Sequence, residues 1–509
     1  MTRTAGALIG RRRSSAFWGL GCPKTHHEIK DSLGNCSRAV VFYRGNAVLI
    51  HAESESIVID VSDSRQRKLA LRWLQLGILA LALAGLFALL LVASRAPGSE
   101  RFFPWIDFFR TALVVHVDQS VLIWFLAMSG VAWCLTSVVD TWRLLLQRIA
   151  FYSALGGALG IALSAFIGDG APLMNNYVPV LQRSEFFVML GLFGFGIVLQ
   201  AFTRLSAVGS IGIQRSAVHI PSLVAWTLSL TVMISVLALL LAWLQMPAEV
   251  DGHAYYEYLF WGAGHTLQFA YTQLVILAWL LLAVNSGATL PGNAHWYAWI
   301  LILGVVPVLS TPLIYLFYDT VSLASKDAFT AQMKYGGGLA VIPAGVLVVM
   351  GLLRSRSVAI LSKPLRSSLW MSLLLFFSGG AIALFISGVN TIIPAHYHGS
   401  IVGVTIGLMG MAYLVLPKLG YPAPQGRMVE MQPWIYGIGQ LLHILGLAAS
   451  GAMGIQRKTA GAAQGLDSLS AKVAMGVMGI GGLLAVIGGI IFVWVMIRAF
   501  IRASEPCGK

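Results

Sequence analysis

The stretch TIIPAHYHGSIVGVTIGLMGMAYLVLP, residues Thr391–Pro417, is apolar almost throughout, yet it carries His396 and His398 near its start. Its length and composition are those of a helix that crosses the hydrocarbon core of a membrane, which needs ~20 apolar residues. Imidazole is costly to bury in hydrocarbon unless a partner holds it. Two histidines in one such segment therefore mark a candidate functional site.

The whole chain has the composition of an integral membrane protein. Of its 509 residues, 57% are hydrophobic and 11% are charged, and the mean hydropathy is +0.79. A soluble protein of this length cannot hide that much apolar surface, whereas a bilayer can. The formal net charge of +14 comes from basic residues at span ends and in loops, which favours positive-inside topology over nucleic-acid binding.

Apolar runs of span length recur from residue 69 onward and predict an all-α membrane bundle of twelve transmembrane helices. The excess of Lys and Arg at alternate span ends predicts a multi-pass protein of the plasma membrane with both termini in the cytoplasm. The predicted spans are residues 69–94, 111–136, 148–169, 185–204, 221–245, 257–284, 296–318, 335–354, 368–389, 395–418, 433–456 and 474–499.

The predicted domain organisation follows from these runs. Residues 1–68 have no span-length apolar run, so we expect a cytoplasmic extension, with a hairpin over residues 39–61. The twelve-span domain covers residues 69–500, and residues 501–509 form a cytoplasmic tail. We expect no cleavable signal peptide, because no short apolar core follows the basic residues 11–13. The four cysteines show neither paired spacing nor a CxxCH pattern, so disulfides and covalent c-type haem are not expected.

Five histidines lie inside the predicted spans. His116, His265, His396 and His398 all lie in the outer half of their spans, and His443 lies in the middle of the eleventh. Ionisable residues at membrane depth are functional candidates. The alternative is a neutral histidine that is hydrogen-bonded to a neighbouring helix, and we favour it for His443.

His396 and His398 are two positions apart in a helix that turns ~100° per residue, so their rings leave opposite faces and cannot share one metal. They can bind two metals on the two sides, as two haems around one helix would require. Small residues follow the pair and fit either a flat macrocycle or close helix–helix packing. These residues are Gly399, Ser400, Gly403, Gly407 and Gly410.

A low-spin haem needs a second axial ligand from another helix. The second and tenth spans both begin at the outer side, so His116 and one of the tenth-span histidines lie at similar depth, as bis-histidine ligation requires. Asp118 lies beyond His116 on the opposite helix face. It could tune this site or mark a helix interface, and we favour the interface.

These features resemble the catalytic subunit of the haem–copper oxidase superfamily, most closely its C-class oxidases and nitric oxide reductases. The twelve spans, the second-span histidine and the His–x–His head of the tenth span carry the resemblance, which covers residues 69–500. It implies that His116 and His398 ligate a low-spin haem and that His396 ligates a high-spin haem. The histidine of GHTLQF, His265, would ligate a non-haem metal. The segment GAMGIQRKTAG, residues 451–461, resembles the family's loop before the last span.

The resemblance implies a divergent respiratory oxidase subunit I, in which two b-type or related haems carry electrons to dioxygen or nitric oxide. Implied partners are membrane lipid and other oxidase subunits, which would hold the electron-entry site, since this chain has no motif for it. Two other classes stay open. One is a non-catalytic haem-bearing electron-transfer or assembly subunit. The other is a twelve-span transporter, which the few charged residues along the spans disfavour.

The chain departs from the family at the non-haem metal site. The family has two adjacent histidines near the outer end of the seventh span, where this chain has STPLIYLFYDT, residues 310–320. His295 lies at the opposite end of that span, and His253 lies in the loop before the sixth. A three-histidine copper site therefore cannot be drawn from the sequence, and we expect copper well below one per chain.

The family's catalytic tyrosine is also missing. It lies four residues after the sixth-span histidine, a position that Phe269 occupies in this chain. The substitute candidates are Tyr271, Tyr315 and Tyr318.

Overall fold

The chain folds largely into long helices, whose bounds come from a computed structural model. This structure describes residues 38–43, 46–51, 56–59, 63–94, 107–137, 140–213, 217–355, 362–457 and 468–504. Most of the predicted extension over residues 1–68 lies outside these ranges. So do residues 458–467, which include part of the loop before the last span, and residues 505–509 of the predicted tail.

Twelve helices within the described ranges are long and apolar enough to cross a bilayer, which confirms the predicted all-α membrane bundle. Three of the twelve spans consist of two helical segments each. In chain order the helices are α1 (Ser64–Ala93), α2 (Phe108–Val117) with α3 (Trp124–Leu135), α4 (Thr141–Leu163), α5 (Ser184–Leu205), α6 (Ile220–Leu244), α7 (Gly252–Asn285), α8 (Ala294–Leu303) with α9 (Thr311–Phe317), α10 (Leu323–Gly336) with α11 (Gly338–Arg354), α12 (Lys363–Ala383), α13 (Ile392–Lys418), α14 (Arg427–Ala452) and α15 (Leu469–Ser504).

Two spans have a turn of another helix type between their two α-helical segments. A π-helical turn, Asp118–Ile123, joins α2 to α3 directly after the turn that carries His116. A 3-10 turn, Val306–Ser310, separates α8 from α9. Pro307 lies in this turn, and proline cannot donate the N–H that a continuous α-helix requires. The π turn is the more informative of the two, because such turns occur frequently at functional sites.

The eighth span begins earlier than predicted. The apolar run indicated residues 335–354, but α10 starts at Leu323, where the Ser322 side chain accepts a hydrogen bond from the backbone N–H of Ser325. Lys326 and Lys334 therefore lie on a helix and not in a loop. Hydropathy detects only the part of a helix that lies in hydrocarbon, so it misses a polar continuation of this kind.

The described residues also form two short hairpins. Strands β1 (Arg38–Tyr43) and β2 (Asn46–His51) pair antiparallel, in agreement with part of the predicted hairpin over residues 39–61. Strands β3 (Pro172–Leu173) and β4 (Val180–Leu181) pair antiparallel between α4 and α5. The second hairpin matters for the candidate site, because the segment between its strands reaches α7.

The buried side chain of Arg183 holds the base of the second hairpin. Its guanidinium donates hydrogen bonds to the carbonyl oxygens of Ser164 at 2.6 Å, Ile167 at 2.9 Å and Gly170 at 3.0 Å. Burial lowers the pKa of Arg183. These three carbonyl oxygens accept from Nε and Nη1 of this cation, and the bonds fix the loop against the end of α4.

Helices α12 and α13 approach each other at glycines. A Cβ atom on Gly379 of α12 would lie 2.8 Å from the carbonyl oxygen of His396, and one on Gly399 of α13 would lie 2.6 Å from the Cα atom of Gly379. Real side chains do not tolerate such distances, so only glycine allows this contact. Small residues at a helix interface let two backbones meet in a membrane.

Polar bonds extend the same contact to α7. The indole N–H of Trp279 donates to the hydroxyl oxygen of Ser372 at 2.7 Å, and that hydroxyl donates to the carbonyl oxygen of Gly403 at 2.6 Å. All three groups are buried. The chain of donors ties α7, α12 and α13 together at the helix that carries the histidine pair.

We predict that Gly379→Ala destabilises the protein, because the added methyl group must push α12 away from α13. Overpacking of this kind costs about 1–3 kcal/mol. The thermal midpoint of the purified protein in detergent should fall. The adjacent Gly380→Ala is the matched control, since a Cβ there meets nothing within 4 Å. Equal midpoints for the two variants would contradict the close-contact explanation.

Candidate functional site

His398 is oriented by its own helix. Its Nδ1 lies 2.9 Å from the carbonyl oxygen of Pro394, one turn earlier in α13. A carbonyl oxygen only accepts, so Nδ1 carries the proton and Nε2 keeps its lone pair. The hydrogen bonds found in the described part of the chain leave Nε2 of His398 without a partner. The ring is thus held in the tautomer that can ligate a metal through Nε2.

His116 shows the same arrangement on a different helix. Its Nδ1 lies 2.8 Å from the carbonyl oxygen of Ala84 in α1, and no described hydrogen bond involves its Nε2. The side chains of His116 and His398 lie within range of direct electrostatic interaction. The two histidines that the sequence analysis paired are therefore within electrostatic range of each other, although no described ring contact or hydrogen bond joins them.

A third histidine, His443 of α14, lies beside this pair. The centroid of its ring is 5.2 Å from that of His398, and its Nδ1 donates to the carbonyl oxygen of Met478 at 3.0 Å. The interhelical hydrogen bond favoured for His443 is therefore present. The sequence analysis did not expect its proximity to His398. The similar distances of His398 and His443 from the outer ends of their helices could have indicated that the two residues lie at a similar depth.

His396 faces a different helix from His398. Its Nδ1 lies 2.8 Å from the carbonyl oxygen of Gly379 in α12, whereas the ring of His398 contacts α14. These partners agree with rings that leave opposite sides of α13. Within the described residues, Nε2 of His396 also has no hydrogen-bond partner. The donor chemistry of His116, His396 and His398 therefore fits axial ligation of haem iron.

The small residues of α13 do not cradle a macrocycle. Cβ atoms added at these positions would meet other helices: Phe376 and Ser372 of α12 lie against Gly403 and Gly407 at 2.6 Å and 2.8 Å. Gly410 faces Ser368 of α12 at 2.7 Å and Leu282 of α7 at 3.1 Å. Of the two explanations offered for the glycines, close helix packing is correct and the haem cradle is wrong.

His265 differs from the other four histidines inside the spans because both of its ring nitrogens have described partners. Nδ1 donates to the carbonyl oxygen of Trp261 at 2.9 Å, and Nε2 lies 3.0 Å from the hydroxyl of Tyr177. Since Nδ1 carries the proton, Nε2 must accept and Tyr177 must donate. Burial, and secondly the charge of Glu257, raise the pKa of the Tyr177 phenol, so this donor keeps its proton.

The loop between β3 and β4 is attached to α7 at a second point. The backbone N–H of Asn176 donates to the Glu257 carboxylate at 3.1 Å, and the Asn176 side-chain amide donates to the other oxygen of the same carboxylate. Glu257 is buried at the outer part of α7. Sequence reasoning missed Tyr177, since nothing in the chain around it indicates a contact 88 residues away.

Aromatic rings complete the surroundings of His265. The ring centroids of Tyr177 and Trp261 each lie 4.8 Å from that of His265, and that of Phe329 lies 6.0 Å away. No described ring contact or hydrogen bond joins His265 to His396 or to any other histidine. The described side chains around His265 are therefore aromatic rings, where a metal bound to His265 would need further ligands.

The three candidate tyrosines have different environments. Tyr315 is buried with its ring 5.3 Å from that of Phe329, which places it near His265. Tyr271 is buried against Phe125, at a centroid distance of 4.8 Å. Tyr318 is 44% exposed. Only Tyr315 therefore shares a neighbour with His265.

The other histidines considered for the metal lie elsewhere. His295 is exposed at the start of α8, and the Nε2 of exposed His253 lies 3.4 Å from the carbonyl oxygen of Met174. Across the described ranges, no group of three or more His, Cys, Asp or Glu residues could hold a metal ion. The donor set around His265 therefore does not fit copper, which needs several nitrogen ligands about one point.

Asp118 is a further buried polar residue near His116. It is 1% exposed in the π-helical turn after His116, and neither carboxylate oxygen has a hydrogen-bond partner in the described part of the chain. A buried carboxylate without partners is costly, and such groups occur mainly where function requires them. We favoured a helix interface as the reason for Asp118, but no described contact at such an interface satisfies its carboxylate.

The fold and the histidines define an all-α, multi-pass membrane protein with imidazoles held at membrane depth. The model of the family "Cytochrome C and Quinol oxidase polypeptide I" matches residues 68–491. The chain belongs to this family, which is the one that the resemblance in the sequence implied.

The chain is also similar to two relatives in sequence and to one solved structure in fold. An uncharacterized protein of Rickettsia prowazekii (strain Madrid E) is 31% identical over 501 residues, covering 85% of this chain and 96% of its own. One from Aquifex aeolicus (strain VF5) is 29% identical over 367 residues, covering 71% and 88%. The solved structure of a heme-copper terminal oxidase dimer is similar in fold, with a TM-score of 0.60 at 16% identity over 88% of this chain and 86% of that one.

We predict that Tyr177→Phe destabilises the protein by about 1–3 kcal/mol, because the buried Nε2 of His265 loses its donor. The thermal midpoint should fall, whereas Tyr255→Phe, which removes a hydroxyl with no described hydrogen bond, should leave it nearly unchanged. In a His265→Leu background, Tyr177→Phe should have little further effect, since the two groups act as a pair. Additive losses in the double variant would show that the hydrogen bond is not the cause.

Proposed function

We propose that this chain is a haem-bearing electron-transfer subunit of a respiratory membrane complex. His116 and His398 would hold a low-spin haem, and His396 would hold a second, high-spin haem of b-type or a related kind. Haem iron, when bound, supplies reversible one-electron transfer. Membership of the oxidase family supports this proposal, and the chemistry of the three histidines supports the assignment of ligands.

One observation carries the proposal. In each of the three histidines, Nδ1 donates to a backbone carbonyl oxygen, at 2.8 Å for His116 and His396 and at 2.9 Å for His398. This bond fixes the tautomer, directs Nε2 away from the carbonyl and makes the imidazole a stronger ligand. His443 makes the same kind of bond to the carbonyl oxygen of Met478, so the bond makes a ring competent to ligate iron, and the family resemblance selects His116, His396 and His398 among such rings.

A terminal oxidase that reduces dioxygen or nitric oxide is the second candidate. Similarity in fold to a heme-copper terminal oxidase and membership of the family favour it. The sequence resemblance also gives His265 the position of a ligand to the non-haem metal. The bond from Tyr177 to Nε2 of His265 argues against it, because a metal would have to displace that donor. Elemental analysis separates the two: stoichiometric copper with oxygen uptake abolished by His265→Ala supports the oxidase, and haem without copper supports the electron-transfer subunit.

The proposed complex includes other subunits of the oxidase type, which would bring electrons to the low-spin haem. This chain has no c-type haem motif of its own. We also propose that the chain lies in the plasma membrane with its basic span ends in the cytoplasm.

We predict a reduced-minus-oxidised spectrum with one six-coordinate and one five-coordinate haem. His116→Ala and His398→Ala should each remove the six-coordinate signal, because bis-histidine ligation loses one axial ligand. His396→Ala should remove the signal that binds carbon monoxide. The exposed His295→Ala is the matched control and should leave both signals unchanged. An intact low-spin spectrum in His116→Ala would refute the ligand assignment.

The proposed topology predicts the outcome of reporter fusions. A reporter inserted after Arg354, at the end of α11, should report the cytoplasm, and one inserted at Lys334 in α10 should report the outside. The two sites flank the apolar part of one span, so they must lie on opposite sides of the bilayer. A cytoplasmic result at Lys334 would reverse the orientation and move the histidines to the inner half of the membrane.

A further inference from the structure

A basic cavity lies between the N-terminal parts of α1 and α4. It has a volume of about 410 Å³ and is lined by four cationic side chains, Arg65, Lys68, Arg72 and Arg148. Among the described residues, no acidic side chain lines it. A concentration of positive charge around one cavity favours an anionic ligand.

The charges of this cavity are largely uncompensated. Only Arg65 takes part in one of the described ion pairs, at 2.9 Å from the carboxylate of Asp63. The hydrogen bond from the Arg65 side chain lowers the pKa of Asp63 to about 2, so this partner stays ionised. The ion pairs of the described residues leave Lys68, Arg72 and Arg148 without an acidic partner.

The helix register explains why the four charges meet. Arg65, Lys68 and Arg72 are spaced by three and four positions along α1, so they share one face. On α4, Arg148 lies between Leu144 and Tyr152 at intervals of four. The basic face of α1 and the face of α4 that carries Arg148 both line the cavity. All four basic residues lie within ~12 Å of the start of their helix, at a rise of ~1.5 Å per residue.

Apolar surface continues from the cavity toward the membrane interior. Leu69 and Leu144 line the cavity itself, and the Arg72 guanidinium lies 5.6 Å from the centroid of the Tyr152 ring. Farther along α4, Leu159 and Leu163 are exposed. The cavity therefore has a cationic end and an apolar exit, an arrangement that suits a ligand with an anionic head and a hydrocarbon tail.

We propose that this cavity binds the phosphate headgroup of an anionic phospholipid, with its acyl chains along the exposed face of α4. Basic pockets between transmembrane helices bind such headgroups. A free phosphate shares the headgroup chemistry, but it makes no use of the apolar exit. The proposal is independent of haem binding, because none of these side chains contacts a histidine of the candidate site.

The test measures binding of a fluorescent phosphatidylglycerol to the full-length protein in detergent. Lys68→Gln with Arg148→Gln should weaken the affinity about 30-fold, the factor that follows from the usual contribution of two basic residues near an anionic lipid. Both side chains are exposed, so we expect the variant to fold. If the double variant does not fold, Arg148→Gln alone should still weaken binding about 5-fold.

The matched control is Lys363→Gln with Arg427→Gln, which removes two exposed charges from the starts of α12 and α14, on the same side of the bundle. This variant should bind like the unaltered protein. Unlabelled phosphatidylglycerol should compete with the probe, and phosphatidylcholine should not. The proposal fails if both double variants weaken binding equally or if phosphatidylcholine competes as well. Competition by glycerol phosphate at the same concentration would instead assign the cavity to a free anion.

Discussion

The glycine contact between α12 and α13 is the constraint on which the candidate site depends. Backbones can meet this closely only where neither helix has a side chain, and Gly379 and Gly399 provide that position. The same contact brings the carbonyl oxygen of Gly379 to Nδ1 of His396. Packing and ligand orientation therefore have one cause, and a change in the distance between the two helices would rotate or release the imidazole.

Much of the fold could be predicted from the sequence, because a spanning helix must be long, apolar and internally hydrogen-bonded. The twelve spans followed from that rule alone. The start of α10 did not, since SKDAFTAQMK is polar and its helix depends on a cap at Ser322 and on packing against α7. Helix rotation likewise predicted that the two histidines of α13 point to different neighbours.

The environment of each histidine was harder to predict. A sequence gives the depth of a residue but not the helix that it faces, so the proximity of His443 to His398 was missed. Small residues are compatible with a cofactor or with another helix, and only the positions of Phe376 and Ser372 decide between them. Tyr177 lies in a loop whose path depends on Arg183, and no local pattern encodes a contact between that loop and His265.

The hydrogen bonds from Nδ1 of His116, His396 and His398 have a consequence for assembly. Each ring is anchored by backbone atoms of a helix, so its orientation is established as soon as the helices pack. Side chains that are already immobile lose little conformational entropy when they bind a ligand, typically saving ~0.5–1.5 kcal/mol for each side chain that need not be ordered. Packing of the inserted helices therefore fixes the three ring orientations before any ligand of these histidines is present.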